Sequence, residues 1–166
     1  MAALPDAEKL CEQLARELKA RVQPSSAMVG IHTGGAWVAE RLHAALALKI
    51  PLGLLDPAFY RDDYAKQGLA KDPKRSKIPF DVEGKDLLLV DDVLHTGRTV
   101  RAAMNELFDY GRPASIALVV LAERGGRQLP VCAQHAGAKV EVPAGMRLRL
   151  KRDAQGLLAL ELERGA

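Results

Sequence analysis

The chain has 166 residues and a net charge of +3; 48% of its residues are apolar and 27% are charged. This composition is typical of a globular protein with a buried core, and so small a charge does not require a nucleic-acid partner. No apolar run approaches the roughly 20 residues of a membrane span, and the first residues lack the features of a signal peptide. The two cysteines are far apart and do not form a zinc-finger pattern, so we expect reduced thiols in a cytoplasmic protein.

The N-terminal third of the chain predicts two helices and two short strands. Pro5 and Asp6 favour a helix start, and leucines then recur every four residues at Leu10, Leu14 and Leu18. This spacing predicts a helix over about 6–21 with one apolar stripe. The other elements expected in this region are a buried strand over 27–31, a loop over 32–35, a helix over 36–48 and a strand over 52–56.

The middle of the chain combines an irregular charged segment with two more strands. Residues 64–77 carry many charges and little periodicity, which predicts a mobile loop. We expect strands over 86–91 and 116–121 and, between them, a helix over about 98–110. Because the apolar strands do not alternate with polar residues, both of their faces should be buried, as in a parallel sheet covered by helices.

The C-terminal segment has a different pattern. Residues 139–142, 146–151 and 157–163 alternate between apolar and polar side chains, and residues 153–156 read as a turn. Strict alternation is typical of strands with one wet face, so we expect a hairpin near the end of the chain.

The most informative segment is 87–99, where an apolar run ends in two carboxylates, Asp91 and Asp92. A loop containing Thr96, Gly97 and Thr99 follows, and then a helical pattern begins. An acid pair alone is most often a polar strand end. Here the acids could bind hydroxyls while the loop amides and the helix start bind a phosphate, so the segment predicts a site for a phosphorylated sugar.

This segment resembles the phosphoribosyl pyrophosphate (PRPP) motif of type I phosphoribosyltransferases. The longer run 90–103, together with 111–113, resembles a narrower group, the pyrimidine operon attenuator and uracil phosphoribosyltransferase family PyrR. Further similarity lies in 59–63, 78–82 and 123–130, so the resemblance covers roughly 25–145. It implies one phosphoribosyltransferase domain over 1–166, with a mostly parallel twisted sheet flanked by helices. It also implies a small hood and C-terminal strands over about 123–163, ending in a β-hairpin.

The resemblance also implies roles for individual residues. Asp91 and Asp92 would bind the ribose hydroxyls, act in catalysis and reach Mg²⁺ through water. The remaining PRPP-binding residues would be Val93 and Leu94 under the ribose, and His95, Thr96, Gly97, Arg98 and Thr99 around the 5′-phosphate. Thr33, Gly34 and Gly35 would form the pyrophosphate loop. Arg61, at the start of the mobile loop, would be a catalytic residue. Arg124 and Val142 would approach the base.

The sequence departs from the family pattern at several positions. His32 and Gly34 stand where the pyrophosphate loop usually has two arginines, which weakens the electrostatic attraction for diphosphate. His95 replaces a tyrosine and Glu123 replaces an aspartate. Residues 131–146, where the base should be recognised, align poorly.

The leading functional hypothesis is transfer of phosphoribose from PRPP to uracil, giving UMP and pyrophosphate, with Mg²⁺ as cofactor and a homodimer or larger homo-oligomer as the assembly. One alternative is an RNA-binding attenuator that responds to UMP, because Arg147, Arg149 and Lys151 would share one strand face. Further alternatives are transfer to a purine or to orotate, and a phosphate-binding module without catalysis.

Overall fold

The structure is a computed structural model, and it describes residues 3–47, 49–60 and 76–165. Its helices are α1 (Ala7–Lys19), α2 (Gly34–Leu46) and α3 (Arg98–Tyr110), with a 3₁₀ turn at Pro57–Tyr60. Its strands are β1 (Ser26–Ile31), β2 (Leu52–Leu55), β3 (Asp86–Leu94), β4 (Ser115–Glu123), β5 (His135–Lys139), β6 (Met146–Arg152) and β7 (Leu158–Arg164).

Five strands form one parallel sheet in the order β2-β1-β3-β4-β5. The register pairs Gly30 of β1 with Val90 of β3, and Val90 with Val119 of β4. Because parallel strands end at the same edge, the segments that follow β1, β3 and β4 lie side by side. The parallel sheet flanked by helices confirms the expected fold class.

Both faces of this sheet are covered. Leu88 and Val90 of β3 face an apolar cluster built with α1 and α2, whereas Leu87 and Leu89 face a second cluster built with α3. This two-sided burial explains why the strand reads as a continuous apolar run rather than an alternating one. On α1, Leu14 and Leu18 are fully buried, which confirms the predicted stripe.

The C-terminal hairpin is confirmed. Strands β6 and β7 pair antiparallel, and Leu148, Leu150, Leu158 and Leu160 point into the α1–α2 cluster. The turn between them is held by Asp153, whose carboxylate accepts hydrogen bonds from the amides of residues 155 (2.9 Å) and 157 (2.8 Å).

The strand expected over 139–142 is wrong. The strand in this region is β5, His135–Lys139, which extends the parallel sheet beside β4. Its small residues allow close packing, since a Cβ on Gly137 would lie 2.5 Å from the carbonyl oxygen of Leu121 and 3.2 Å from the Cβ of Leu10. These residues have low strand propensity, so their strand conformation comes from the neighbouring strand rather than from local pattern.

Other boundaries shift by a few residues. Strand β3 extends to Leu94 rather than ending at residue 91, and α2 begins at Gly34 rather than at 36. Most of the loop predicted over 64–77 lies outside the described residues. At its end, Lys77 pairs with Leu54 of β2 through two backbone hydrogen bonds of 2.8 and 2.7 Å.

Candidate active site at the carboxyl edge of the sheet

The acid pair lies near the end of β3, at the carboxyl edge of the sheet. Asp91 is only 5% exposed, whereas Asp92 is partly buried. One oxygen of each carboxylate is fixed by the next amide along the chain: Asp92 N donates to Asp91 Oδ1 (2.9 Å) and Val93 N donates to Asp92 Oδ1 (2.8 Å). These bonds to the backbone help to hold the two carboxylates in defined orientations.

The turn after β1 and the first residues of α2, Gly34 and Gly35, lie directly against the acid pair. A Cβ on Gly34 would lie 2.1 Å from Asp92 Oδ2, and a Cβ on Gly35 would lie 2.6 Å from the carbonyl oxygen of Val90 and 3.1 Å from Asp91 Oδ1. Only glycine fits this approach at both positions. The peptide bond between His32 and Thr33, which leads into the loop, is cis. The segments predicted to bind pyrophosphate and ribose are therefore in contact.

The loop between β3 and α3 has the geometry of an anion site. Gly97 is left-handed (φ +92°), and its carbonyl accepts the amide of Arg101 (3.0 Å), which begins α3. The hydroxyl of Thr96 accepts a hydrogen bond from the amide of Arg98 (3.2 Å). Amide groups at the start of a helix attract anions through both hydrogen bonds and the helix dipole.

Hydrogen bonds from the segment that follows β4 orient this loop. The carbonyls of three successive residues, Leu94, His95 and Thr96, accept bonds from four residues that we call the carbonyl clasp: Arg124, Arg127, Gln128 and Leu129. Arg124 N donates to Leu94 (3.0 Å), the Arg127 guanidinium donates to His95, and the amides of Gln128 (2.9 Å) and Leu129 (3.1 Å) both donate to Thr96.

The clasp determines where the loop amides point. In a planar trans peptide the N–H lies opposite the preceding C=O. The amides of His95, Thr96 and Gly97 therefore point away from the clasp, and none of the three donates to a protein acceptor within the described part of the chain. They form a row of donors available to an anion.

The side chain of His95 packs behind the same loop. A Cβ on Gly126 would lie 3.0 Å from His95 Cε1, so the imidazole lies against that glycine. Burial lowers the pKa of His95, and the charges of Arg124 and Arg127 lower it further. Its Nδ1 atom is buried and has no hydrogen-bond partner among the described residues. At neutral pH the imidazole is uncharged.

The residues predicted to contact the base lie in different surroundings. Arg124 lies beside the loop and donates through Nη1 to the carbonyl of Met146 (3.3 Å), while its buried Nε finds no partner in the part of the chain that the structure describes. The side chain of Val142 packs partly against the α1–α2 cluster. Arg98 is exposed and donates to the Gln128 side chain (2.9 Å). Arg61 lies outside the described residues.

Sequence reasoning missed Arg127 and Gln128 as residues that shape the site. Both lie in 123–130, a segment that resembles the family, and this similarity was the only signal in the sequence. Their contacts with the loop link residues about 30 positions apart, which no local pattern reveals.

The predicted basic row on the hairpin is largely neutralised. Arg149 pairs with Glu163 (3.1 Å), and Lys151 pairs with Glu161 (2.9 Å) and Glu163 (2.7 Å). Hydrogen bonds from Lys151 and Arg149 lower the pKa of Glu163. The row is therefore a mixed-charge face rather than a cationic one.

The donor set at the acid pair fits Mg²⁺. Among the described residues no cluster brings together three His, Cys, Asp or Glu side chains, so a closed all-protein metal site is absent from that part of the chain. Mg²⁺ is commonly held by only one or two carboxylates together with water and substrate phosphates, which matches Asp91 and Asp92.

Within the same described ranges, no helix is long and apolar enough to cross a membrane.

Comparison with known proteins identifies the family. Residues 1–141 match the family model of the phosphoribosyl transferase domain. The chain is 45% identical to "Bifunctional protein PyrR" of Pseudomonas fluorescens over 165 residues, covering 97% of each chain. It is 46% identical to the protein of the same name from Ralstonia nicotianae over 158 residues, covering 93% of this chain and 90% of the relative.

Solved structures show the same fold. A hypoxanthine phosphoribosyltransferase from Staphylococcus aureus superposes with a TM-score of 0.61 at 22% identity, covering 84% of this chain and 74% of that one. The sheet order, the acid pair at the end of β3 and the amide-lined loop that follows all fit this fold. The chain belongs to the PyrR family of type I phosphoribosyltransferases.

Proposed function

We propose that this protein transfers the phosphoribosyl group of PRPP to uracil, producing UMP and pyrophosphate. The observation that carries the proposal is the contact of the Gly34–Gly35 backbone with the Asp91–Asp92 carboxylates, beside the row of outward amides at 95–97. Pyrophosphate, ribose and 5′-phosphate are the three parts of PRPP, and this edge offers three adjoining surfaces of matching chemistry. Membership of the PyrR family supports uracil as the base.

In this proposal the protein acts mainly by positioning its substrates. Asp91 and Asp92 accept hydrogen bonds from the ribose hydroxyls, and residues 95–99 hold the 5′-phosphate through the amides of 95–97 and the threonine hydroxyls. Val93, which is partly buried, lies beneath the ribose, whereas the side chain of Leu94 is buried in the α3 cluster and supports this segment from behind. As the bond to pyrophosphate breaks, positive charge develops on the ribose, and the adjacent carboxylates stabilise that charge.

Asp91 and Asp92 are also the residues that would hold Mg²⁺. When bound, the metal would neutralise charge on the leaving pyrophosphate. His32 and Gly34 stand where the resemblance to the family implies two arginines. The contributions of Mg²⁺ and Arg61 would have to replace those guanidinium groups. Arg124 and the backbone near Val142 would approach the base.

We further propose that residues 1–166 act as one phosphoribosyltransferase unit, with residues 123–163 forming its hood and C-terminal strands. The family model covers 1–141, and the hairpin beyond it packs into the same apolar cluster as α1 and α2. We expect the unit to form at least a homodimer in the cytoplasm, where its free thiols, Cys11 and Cys132, would stay reduced.

The test of this function is UMP formation from uracil and PRPP, with cytosine, hypoxanthine and orotate as competing bases. The Asp91→Asn, Asp92→Asn double variant should lose at least about 100-fold in kcat/KM, because two charges facing the transition state are removed. A Glu12→Gln, Asp81→Asn double variant removes two exposed carboxylates elsewhere and should keep full activity. Full activity in the first variant would overturn the assignment, and preference for another base would overturn uracil.

A second activity, UMP-dependent binding to leader RNA of pyrimidine genes, is supported by the word "Bifunctional" in the names of the relatives. The ion pairs of Arg149 and Lys151 argue against the hairpin face as the RNA surface. Binding measured with and without UMP tests this activity: affinity that ignores UMP, or no binding below micromolar protein, would contradict it.

A further inference from the structure

Arg127 is the clasp residue whose side chain donates to a backbone carbonyl of the 5′-phosphate loop. Its Nη1 donates to the carbonyl of His95, its Nη2 donates to the carboxylate of Glu123, and its Nε donates to the carbonyl of Val131 (3.0 Å). The side chains of Arg127 and Glu123 are only 24% and 23% exposed. A planar guanidinium suits this role, because it presents several donors in fixed directions.

The bond to His95 differs from the other bonds of the clasp. The carbonyls of Leu94 and Thr96 accept backbone amides, which stay in place whatever side chains are present. The carbonyl of His95, between them, accepts its bond from the side chain of Arg127. This carbonyl belongs to the peptide whose N–H is the amide of Thr96, so Arg127 fixes the direction of the middle donor of the row.

We propose that Arg127, held by Glu123, is a positioning residue that orients the Thr96 amide toward the 5′-phosphate of the substrate. This inference rests on the proposed function. Arg127 acts through the peptide that joins His95 and Thr96, and its other nitrogens donate to Glu123 and to the carbonyl of Val131. Glu123 contributes by fixing the guanidinium in the orientation that reaches the carbonyl.

A merely structural role predicts something different. If Arg127 only stabilised the segment after β4, its loss would lower stability without weakening the binding of ribose 5-phosphate more than the binding of pyrophosphate. If it positions the Thr96 amide, its loss weakens recognition of the 5′-phosphate. Binding of pyrophosphate depends on the loop at Gly34 and Gly35, which Arg127 does not contact, and should remain.

The experiment is calorimetric titration of the full chain with ribose 5-phosphate and, separately, with magnesium pyrophosphate. Arg127→Met should weaken ribose 5-phosphate about tenfold, the effect of one hydrogen bond to a charged group, and change pyrophosphate affinity less than about twofold. Arg127→Lys should recover part of the loss, because an ammonium can still reach one carbonyl. Glu123→Gln should weaken ribose 5-phosphate by about threefold, since it keeps the guanidinium but removes its charged partner.

Arg147→Met is the matched control, because it removes an exposed arginine on β6 and should leave both affinities at wild-type values. Unchanged ribose 5-phosphate affinity in Arg127→Met, or equal losses for both ligands, would overturn the inference. If Arg127→Met does not fold, the same comparison on Arg127→Lys and Glu123→Gln decides. If the wild-type protein binds no ribose 5-phosphate, the proposed function fails, and this inference fails with it.

Discussion

At the scale of single residues, Gly35 marks the close approach between the predicted pyrophosphate-binding segment and the acid pair of β3. We predict that Gly35→Ala lowers kcat/KM for PRPP by at least about tenfold, because its Cβ would lie 2.6 Å from a backbone carbonyl that cannot move without shifting β3. Steady-state kinetics at varied PRPP checks this.

Gly125→Ala provides the comparison for that variant. A Cβ at Gly125 would meet no atom within 4 Å, and the backbone there is not in the left-handed region, so activity should be retained. Equal activity in the Gly35→Ala and Gly125→Ala proteins would show that the close approach of the loop to the acid pair does not matter.

His95 gives a prediction about pH. Its pKa in the folded protein is lowered from 6.5 by burial and by the neighbouring arginines. Below pH 6.5 the unfolded chain therefore binds protons more readily than the folded one, so stability falls as the pH drops from about 6.5 toward the folded-state pKa. The Tm of the wild-type protein should decline more steeply between pH 7.5 and pH 5 than that of His95→Gln. Parallel Tm profiles would contradict this.

The acid pair and the clasp differ in how far the sequence could reveal them. Asp91, Asp92 and the loop after them are contiguous, so one short segment indicates carboxylates, amides and a helix start together. The bond from Arg127 to the His95 carbonyl joins distant residues, and a backbone carbonyl carries no sequence signature. The lowered pKa of His95 likewise depends on tertiary structure, first through burial and then through arginines from another segment.

At the scale of elements, hydrogen bonds of Glu8 connect the C-terminal hairpin to α1 and α2. Its carboxylate on α1 accepts the amide of Leu158 (2.8 Å) and the guanidinium of Arg41 (3.1 Å), and Arg41 also donates to the carbonyl of Gly156 (2.7 Å). Arg152 adds a cation–π contact, 4.7 Å from the centroid of the Trp37 ring.

We predict that Glu8→Ala lowers the free energy of unfolding by about 1–3 kcal/mol, because the buried Leu158 amide loses its acceptor. Urea denaturation measures this change. Glu12→Ala, on the exposed face of the same helix, should change stability by no more than about 0.5 kcal/mol. A similar small change in Glu8→Ala would mean that the hairpin is held by apolar packing alone.

Strands with strong apolar runs were predictable, and β5 was not. The runs in β1, β3 and β4 indicate burial on both faces, and the sheet confirms it. In contrast, β5 has the sequence His-Ala-Gly-Ala-Lys, whose small side chains fit between β4 and α1. Pairing with β4 imposes the strand conformation there, and no hydrophobic periodicity in the sequence predicts it.

At the scale of the whole molecule, the two cysteines should report on global unfolding. Burial raises the pKa of Cys11 to about 12 and keeps its thiol neutral, whereas Cys132 is exposed. A thiol reagent should therefore label one cysteine rapidly in the native protein and the second only when the fold opens. Mass spectrometry of the labelled peptides in native buffer and in denaturant checks this. Fast native labelling of Cys11 would contradict the packing of α1.

The loop after Asp91 and Asp92 is proposed to bind the 5′-phosphate of a phosphorylated ribose through its amides. An amide NMR titration of the ¹⁵N-labelled protein with ribose 5-phosphate and Mg²⁺, with ribose as the control, tests this binding residue by residue. We predict that the amide signals of His95, Thr96 and Gly97 shift with ribose 5-phosphate and not with ribose. If ribose 5-phosphate bound while these three signals stayed in place, the claim would be wrong.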